Sequence, residues 1–315
     1  MDNYLVAMAV SAGIYALMAL GLNVIWGMAG LVNLGLVGFF AVGAYTSALL
    51  TTQLGFSIWA GVLAGTAAGA AVGAAVALIT AKLRGDYFAI VTLGFAETIR
   101  VIASNEVWLT HGSDGISGIP GPLRGSLDPL QFNLLYLAIV VALVTILFVL
   151  AERLSYSPFG RVLRAIRDDE QVAAVAGKWV IAYKVRAFAL GCAALGLAGA
   201  LYAHYTSYIA PDIFVPLLTL YIKLSLLAGG VGNNKGAIAG AVLVVVFLES
   251  TRFIVPFLPG ISAVQGAALR EIITSGSLLV LLRFRTRGLV PEAASHLPAA
   301  LGWTGAAAPK ETSHA

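Results

Sequence analysis

The sequence predicts an all-α, polytopic membrane protein. Of its 315 residues, 59% are hydrophobic and 11% are charged, whereas soluble domains carry about 25% charged residues. The apolar residues form runs of about 20, which is the length of a membrane-spanning helix. The 35 glycines are typical of membrane helices that pack backbone to backbone. We therefore expect about 8–10 transmembrane helices, some of them broken or re-entrant.

The apolar runs place nine spans in order along the chain. They lie near residues 4–27, 31–52, 57–80, 87–109, 133–151, 181–207, 214–231, 236–257 and 266–283. Glycines within 31–52 and 214–231 favour broken or re-entrant helices, which are tolerated where protein or a cavity covers the backbone. Residues 228–247 faintly repeat the glycine-rich stretch 21–50. Inverted repeats are common in transporters, but this similarity is too weak to establish one.

Lysine and arginine accumulate at one set of span ends, which predicts the orientation by the positive-inside rule. The richer set holds Lys82, Arg84, residues 153–186, Lys235, Arg283, Arg285 and Arg287, and the poorer set holds Arg124, Arg252 and Arg270. We therefore expect the N-terminus outside and the C-terminus in the cytoplasm. Residues 1–287 would form the transmembrane domain with a cytoplasmic loop at 152–180, followed by a disordered tail at 288–315. The net charge of +4 reflects this loop placement and does not indicate nucleic-acid binding.

Polar side chains inside the predicted spans are the candidates for a translocation path. They are Asn23, Asn33, Glu97, Arg100, Lys223 and Glu249. Ionisable groups are costly in lipid and tend to face protein or a water-filled path. Glu97 and Arg100 are spaced i, i+3 and could instead neutralise each other on one helix face. A buried asparagine most often bonds a neighbouring helix, so structural pairing and a place in the path both stay open.

Motifs for catalysis, metal binding and ATP hydrolysis are not found in the sequence. Cys192 is the single cysteine, and the four histidines lack the spacing of metal ligands. His111, Ser113 and Asp114 are close neighbours in a loop, which does not make a catalytic triad. The nearest approach to a P-loop, GGVGNNKG at 229–236, lacks the glycine before the lysine and the hydroxyl after it. The sequence predicts a non-enzymatic chain without a cofactor or metal of its own.

One hydrophilic stretch, residues 157–186, interrupts the apolar sequence and has the pattern of a folded loop. Ser157 and Pro158 are typical of the first positions of a helix. Apolar residues then follow at 159, 162, 163 and 166, which is one stripe of that helix. Asp168 or Asp169 would cap a second short helix, and Gly177 would end it. The alternative is a solvated loop that only obeys the positive-inside rule.

Three stretches together resemble the permeases of branched-chain amino-acid ABC importers, the LivM-like family. They are LRGDYFAIVTLGFAETIR at 83–100, GSDGISGIPGP at 112–122 and SPFGRVLRAIRDDEQVAAVAG at 157–177. The resemblance runs from about residue 19 to 290 and implies a bacterial inner-membrane permease. It also implies a second homologous permease, two cytoplasmic ATPases that bind ATP and magnesium, and a periplasmic substrate-binding protein.

By this resemblance, the hydrophilic loop carries the helix that couples the permease to an ATPase, and the loop 111–122 faces the binding protein. The implied coupling residues are Arg161, Arg164, Arg167, Asp168, Asp169, Glu170 and Gly177. Permeases for urea, amides or aromatic acids are alternatives within the family. Outside it, a secondary transporter or channel would need an ion site of its own, and a membrane enzyme would need a convergent cluster of reactive groups.

Overall fold

A computed structural model describes residues 2–81, 83, 85–254, 265, 272, 276 and 288–290. The helices are α1 (Asp2–Leu22), α2 (Leu36–Thr52), α3 (Ile58–Ile79), α4 (Gly85–Asn105), α5 (Val107–Thr110), α6 (Pro129–Tyr156), α7 (Pro158–Asp168), α8 (Glu170–Val175), α9 (Val180–Thr206), α10 (Pro216–Gly229) and α11 (Asn234–Ile254). A π-helix, Asn23–Met28, continues α1, and 3₁₀ turns lie at Gly112–Asp114 and Pro211–Ile213. Two short strands, β1 (Ile116–Ser117) and β2 (Tyr208–Ile209), pair antiparallel.

The prediction of an all-α polytopic membrane protein is confirmed. Within the described residues, six helices are long and apolar enough to cross a membrane. Helix α2 is apolar but shorter, with 17 residues, and α11 has 21 residues. The first eight predicted spans each coincide with a helix. The ninth, 266–283, lies outside the described residues, as do nearly all of the tail 288–315 and the basic residues Lys82, Arg84, Arg270, Arg283, Arg285 and Arg287. The orientation of the termini stays a prediction.

Helix α9 is the centre of the bundle and packs closely against α1, α2 and α3. At the crossing with α2, a Cβ atom added to Gly43 would lie 2.2 Å from the carbonyl oxygen of Gly196. Gly65 and Gly69 bring α3 into the same backbone contact with α2 and α9. The glycines therefore act as the sequence indicated, because only residues without a side chain allow helices this close.

Helix α2 begins inside the membrane-spanning region, after the non-helical residues 29–35. The backbone N–H groups of Leu34 and Val37 donate to the hydroxyls of Thr92 in α4 and Thr219 in α10, at 3.1 and 3.3 Å. Thr92 is seven residues into α4, or about 10 Å along its axis. Side chains from other helices thus satisfy amides that a continuous helix would satisfy itself.

Helix α10 is the second short span and also follows non-helical residues. It has 14 residues and begins at Pro216, after the 3₁₀ turn Pro211–Ile213. The ranges 31–52 and 214–231, predicted as broken or re-entrant, therefore each contain one short continuous helix that follows non-helical residues. A third irregularity, the π-helix at the end of α1, was not predicted because its residues continue the apolar run without a break.

The bundle has two ends with different structures. The β end consists of residues 106–128 and 207–215, where β1 pairs with β2. There, Arg124 donates to Ser207, and its guanidinium lies 4.5 Å from the centre of the Phe132 ring. The α7 end consists of residues 157–179 together with the turn between α10 and α11. Helix α9 runs the whole way between the two ends.

Candidate functional site

The hydrophilic loop folds into the two short helices that the sequence predicted. The Ser157 hydroxyl accepts the N–H of Gly160 at 3.1 Å and caps α7. The Asp169 carboxylate accepts the N–H groups of Gln171 and Val172 at 2.8 and 3.0 Å and caps α8. Gly177, with φ of +75°, ends the segment in the left-handed region, where glycine is favoured. Of the two predicted caps, Asp169 is the one used.

The apolar face of α7 lies against the irregular end of α1. Leu163 is fully buried and packs with Val24 and Met28 of the π-helix and with Ala187 of α9. Ile166 is buried with Ala173 of α8 and Val180 of α9. Because side chains in such a contact interlock, a displacement of α7 must move the π-helix or α9 with it.

The arginines of α7 bind helix ends within the chain. Arg167 donates to the carbonyl of Gly27 in the π-helix, and Arg164 donates to the carbonyl of Ser155 in α6 at 2.9 Å. Arg161 donates to the carbonyl of Tyr156 at 3.2 Å. These carbonyls have no partner in a helix ladder, and cationic side chains satisfy them. The arginine positions therefore hold the loop on the bundle.

The acidic residues of the loop also make local bonds. Asp168 is exposed and lies 3.3 Å from Arg167, and Glu170 forms an ion pair with Lys184 of α9 at 2.6 Å. Lys184 is largely buried, so this pair fixes the start of α8 to α9.

Three large apolar side chains of the loop are exposed, which sequence reasoning missed. Val172, Val175 and Trp179 are 64%, 90% and 74% exposed. We call these three residues the α8 patch. Val172 and Val175 are three residues apart in α8, and Trp179 follows Gly177 directly before α9. The nearby charges obscured this signal in the sequence. Exposed apolar groups clustered on a hydrophilic loop mark interaction surfaces.

A cavity of about 260 Å³ lies beneath the loop, between the non-helical residues after α1 and the start of α4. Leu31, Val32 and Phe88 form apolar walls, and Arg167, Glu170 and Lys184 line its polar side. The cavity places empty space beside the non-helical backbone after the π-helix.

Asn23 belongs to a buried hydrogen-bond network at the α7 end. Its amide donates to Asn234 at 2.8 Å and its carbonyl oxygen accepts the N–H of Gly232 at 2.9 Å. Asn234 in turn donates to Ser155 of α6 at 3.2 Å. The network joins the π-helix, α6 and the α10–α11 turn, and it brings together parts of the two glycine-rich stretches. For Asn23, structural pairing is confirmed.

Asn33 is different, because half of its amide has no partner. Its carbonyl oxygen accepts the N–H of Gly35 at 2.7 Å, but its amino group is buried and makes no hydrogen bond to any described residue. The buried hydroxyl of Tyr45 in α2 is in the same state. Unsatisfied buried donors are rare and costly, which keeps Asn33 a candidate for contact with a transported solute.

Glu97 and Arg100 form an ion pair on α4 at 2.8 Å, as their spacing predicted. About a third of each side chain is exposed. On the same side of α4, Gly94 and Thr98 are exposed, and nothing lies within 4 Å of a Cβ atom added to Gly94. These small and polar residues lie beside exposed apolar side chains of the same helix, among them Ile90, Val91 and Val101, and the open space at Gly94 leaves room for a neighbouring helix.

The remaining candidates lie apart from Glu97. The Lys223 ammonium is 5.2 Å from the centre of the Trp26 ring, a cation–π contact between α10 and the π-helix. Glu249 accepts a hydrogen bond from Tyr4, which joins α11 to α1. The six candidates therefore do not converge on one point. Within the described residues, no group of three or more His, Cys, Asp or Glu is placed to hold a metal.

Comparison with known proteins identifies clear relatives. A family model described as "Branched-chain amino acid transport system / permease component" matches residues 4–282. The chain is 32% identical over 305 residues to the high-affinity branched-chain amino acid transport system permease protein LivM of Salmonella typhimurium, covering 88% of this chain and 68% of the relative. It is 29% identical over 323 residues to a probable LivM of Methanocaldococcus jannaschii, covering 89% and 91%.

A relative that is named for a different substrate is also similar. The nucleoside ABC transporter permease protein NupC of Lactococcus lactis subsp. cremoris is 27% identical over 283 residues, covering 84% of this chain and 86% of the relative. No solved structure matches the chain.

Proposed function

Because the chain belongs to the family of branched-chain amino acid transport system permease components, we propose that it is the membrane-embedded permease of an ATP-driven importer in the bacterial inner membrane. Its leading substrates are branched-chain amino acids, since the LivM relatives are named for the transport of these solutes. Urea, amides and aromatic acids are the alternatives that the family resemblance implies, and the NupC relative adds nucleosides.

The proposed assembly contains a second, homologous permease, two ATPases and a substrate-binding protein. The ATPases supply ATP and magnesium binding, and this chain supplies the membrane path. The β end, with its ordered loop 111–122, is the proposed docking site for the binding protein in the periplasm. The α7 end then faces the cytoplasm, in agreement with the positive-inside rule.

The observation that carries the proposal is the α8 patch on a loop that is fixed to the bundle from beneath. A solvated loop would have no reason to expose Val172, Val175 and Trp179. A partner protein that covers them would gain apolar burial of about 25 cal/mol per Å². The arginines of α7 and the acidic residues at the start of α8 are engaged within the chain, so we assign docking to the apolar patch and positioning to the arginines.

The packing suggests how movement would reach the membrane path. An ATPase that moves the α8 patch moves α7 with it, because the two helices share a buried contact between Ile166 and Ala173. Leu163 and the bond from Arg167 to Gly27 then transmit the movement to the π-helix. The π-helix leads directly into the interrupted backbone before α2, where few regular hydrogen bonds resist a change. The loop thus drives alternating access, in which the path opens first to the outside and then to the inside. A ligand that binds these two states with different affinity shifts the equilibrium between them.

The face of α4 that carries Glu97, Gly94 and Thr98 is the proposed boundary of the path. The second permease would complete it from the other side. Asn33, whose buried amino group has no partner among the described residues, would contribute a polar group just before the start of α2.

The docking assignment is tested with Val175→Glu. A buried, unpaired carboxylate in an apolar interface is costly, so we expect the variant to insert normally but to lose co-purification with the ATPases and ATP-driven uptake. Val107→Glu is the matched control, because Val107 is an exposed valine at the β end; it should retain the ATPases. Arg164 is a poorer test site, since its bond to Ser155 also supports the end of α6.

Undiminished ATPase co-purification of Val175→Glu would contradict docking through the α8 patch. If the unmodified chain purified alone and moved solute in liposomes without ATP, the importer itself would be refuted in favour of a secondary transporter or channel.

A further inference from the structure

The bundle surface carries an apolar groove that the proposed transport role does not use. Its volume is about 400 Å³, and it lies between α1, α3, α6 and α9. Thr66 is the single polar residue in its lining, and the Thr66 hydroxyl is already bonded to the carbonyl of Val62 at 2.8 Å. No polar solute would gain a hydrogen bond there. The groove suits a hydrocarbon chain.

The groove is open to the membrane and runs along its depth. Ile146 and Leu150 of α6 and Leu190 of α9 line it and are exposed. On α6 the lining extends from Leu143 to Leu154, which corresponds to about 16 Å of helix. The groove thus extends from the middle of the bundle towards the α7 end, as an acyl chain does within one leaflet.

Two arginines, Arg153 and Arg186, lie near the end of the groove that is closer to the α7 end. Arg153 is three residues beyond Leu150 on α6, and Arg186 is four residues before Leu190 on α9. Residues three or four apart share a helix face, so Arg186 lies one turn beyond the lining on α9, and Arg153 lies beside the last turn of the lining on α6. Both are exposed, and neither guanidinium has a hydrogen-bond or ionic partner among the described residues.

We propose that this groove binds an anionic phospholipid. One acyl chain lies against α6 and α9, and the headgroup phosphate binds Arg153 and Arg186. The charge decides the class of lipid, because a guanidinium pair favours a headgroup with net negative charge, such as phosphatidylglycerol, over a zwitterionic one. The site is independent of the α8 patch and of the α4 face.

The test is native mass spectrometry of the protein released from nanodiscs that contain equal amounts of phosphatidylglycerol and phosphatidylethanolamine. We expect retained lipid to be enriched in phosphatidylglycerol by about 30-fold, the factor that two arginines near an anionic headgroup would give. The double variant Arg153→Ala/Arg186→Ala should lose the enrichment. The matched control Lys178→Ala/Lys235→Ala removes two exposed lysines at the same end and should keep it.

A second variant tests the groove itself. Ala193 lines it from α9, so Ala193→Phe should fill it and reduce the retention of both lipids, and its unchanged melting temperature would show that the fold is intact. Equal retention of the two lipids by the unmodified protein would overturn the proposal. A photoreactive residue at Leu150 that cross-linked to protein and not to lipid would also overturn it, since the groove would then be a helix-binding interface.

Discussion

At the scale of single residues, the polar groups of this chain mostly serve to join helices. Asn23 makes two bonds across the α7 end, and Arg167 reaches a carbonyl 140 positions earlier in the chain. Local chemistry was predictable, as the caps at Ser157 and Asp169 show, because cap and helix are neighbours in sequence. The role of Arg167 was not predictable, since nothing near it indicates that Gly27 lies beneath it.

Replacing Asn23 with alanine should destabilise the protein by about 1–3 kcal/mol, the cost of leaving buried groups without hydrogen bonds. The N–H of Gly232 and the side-chain oxygen of Asn234 would lose their partner. Thermal unfolding in detergent measures the change. Asn105→Ala is the control, because the Asn105 amide is exposed and bonds only the carbonyl of Val101 in its own helix. Equal melting temperatures for the two variants would contradict a contribution of the Asn23 hydrogen bonds to the stability of the protein.

At the scale of helices, hydropathy predicted where the spans lie but not which faces meet. The glycines indicated close packing, and the structure places it at the contacts among α2, α3 and α9. The interruption before α2 was predictable from its glycines. The π-helix was not, because Asn23–Met28 reads as ordinary apolar sequence and its geometry depends on the partners of Asn23 and Gly27.

Gly43→Ala should therefore be strongly destabilising. Its Cβ would meet the Gly196 backbone at 2.2 Å, so α2 and α9 would have to separate, at a cost of about 3 kcal/mol. Yield and melting temperature in detergent are the measurements. Gly94→Ala is the matched control in a helix interior with open space around it, and it should be neutral or stabilising by about 0.5–1 kcal/mol. If both variants had the same melting temperature, the close backbone contact at Gly43 would not limit the stability of the protein.

At the scale of the whole molecule, the two ends of the bundle differ in structure. The β end is tied together by strand pairing and by Arg124, and the α7 end presents the α8 patch. The single cysteine, Cys192, is fully buried, so an added thiol can be labelled without background.

We expect Val107→Cys to react with a membrane-impermeant maleimide in intact spheroplasts and Val175→Cys to react only after the membrane is opened. This follows from the positive-inside rule, since the basic loop should lie in the cytoplasm. The unmodified chain, with Cys192 alone, is the control and should stay unlabelled. The reverse labelling pattern would show that the orientation is opposite to the predicted one, with the α8 patch outside the cytoplasm and out of reach of a cytoplasmic ATPase.

The start of α2 also constrains how the protein is made. Its Val37 amide depends on Thr219, a residue 182 positions later in the chain. While the ribosome is still synthesising the first half, that amide has no protein partner, and lipid offers none. The nascent segment around residues 29–37 must therefore keep contact with water or with the insertion machinery until α10 has entered the membrane. The helices of this permease should therefore pack together only after α10 has been inserted. Nascent chains that stop short of residue 219 should be degraded by membrane quality control.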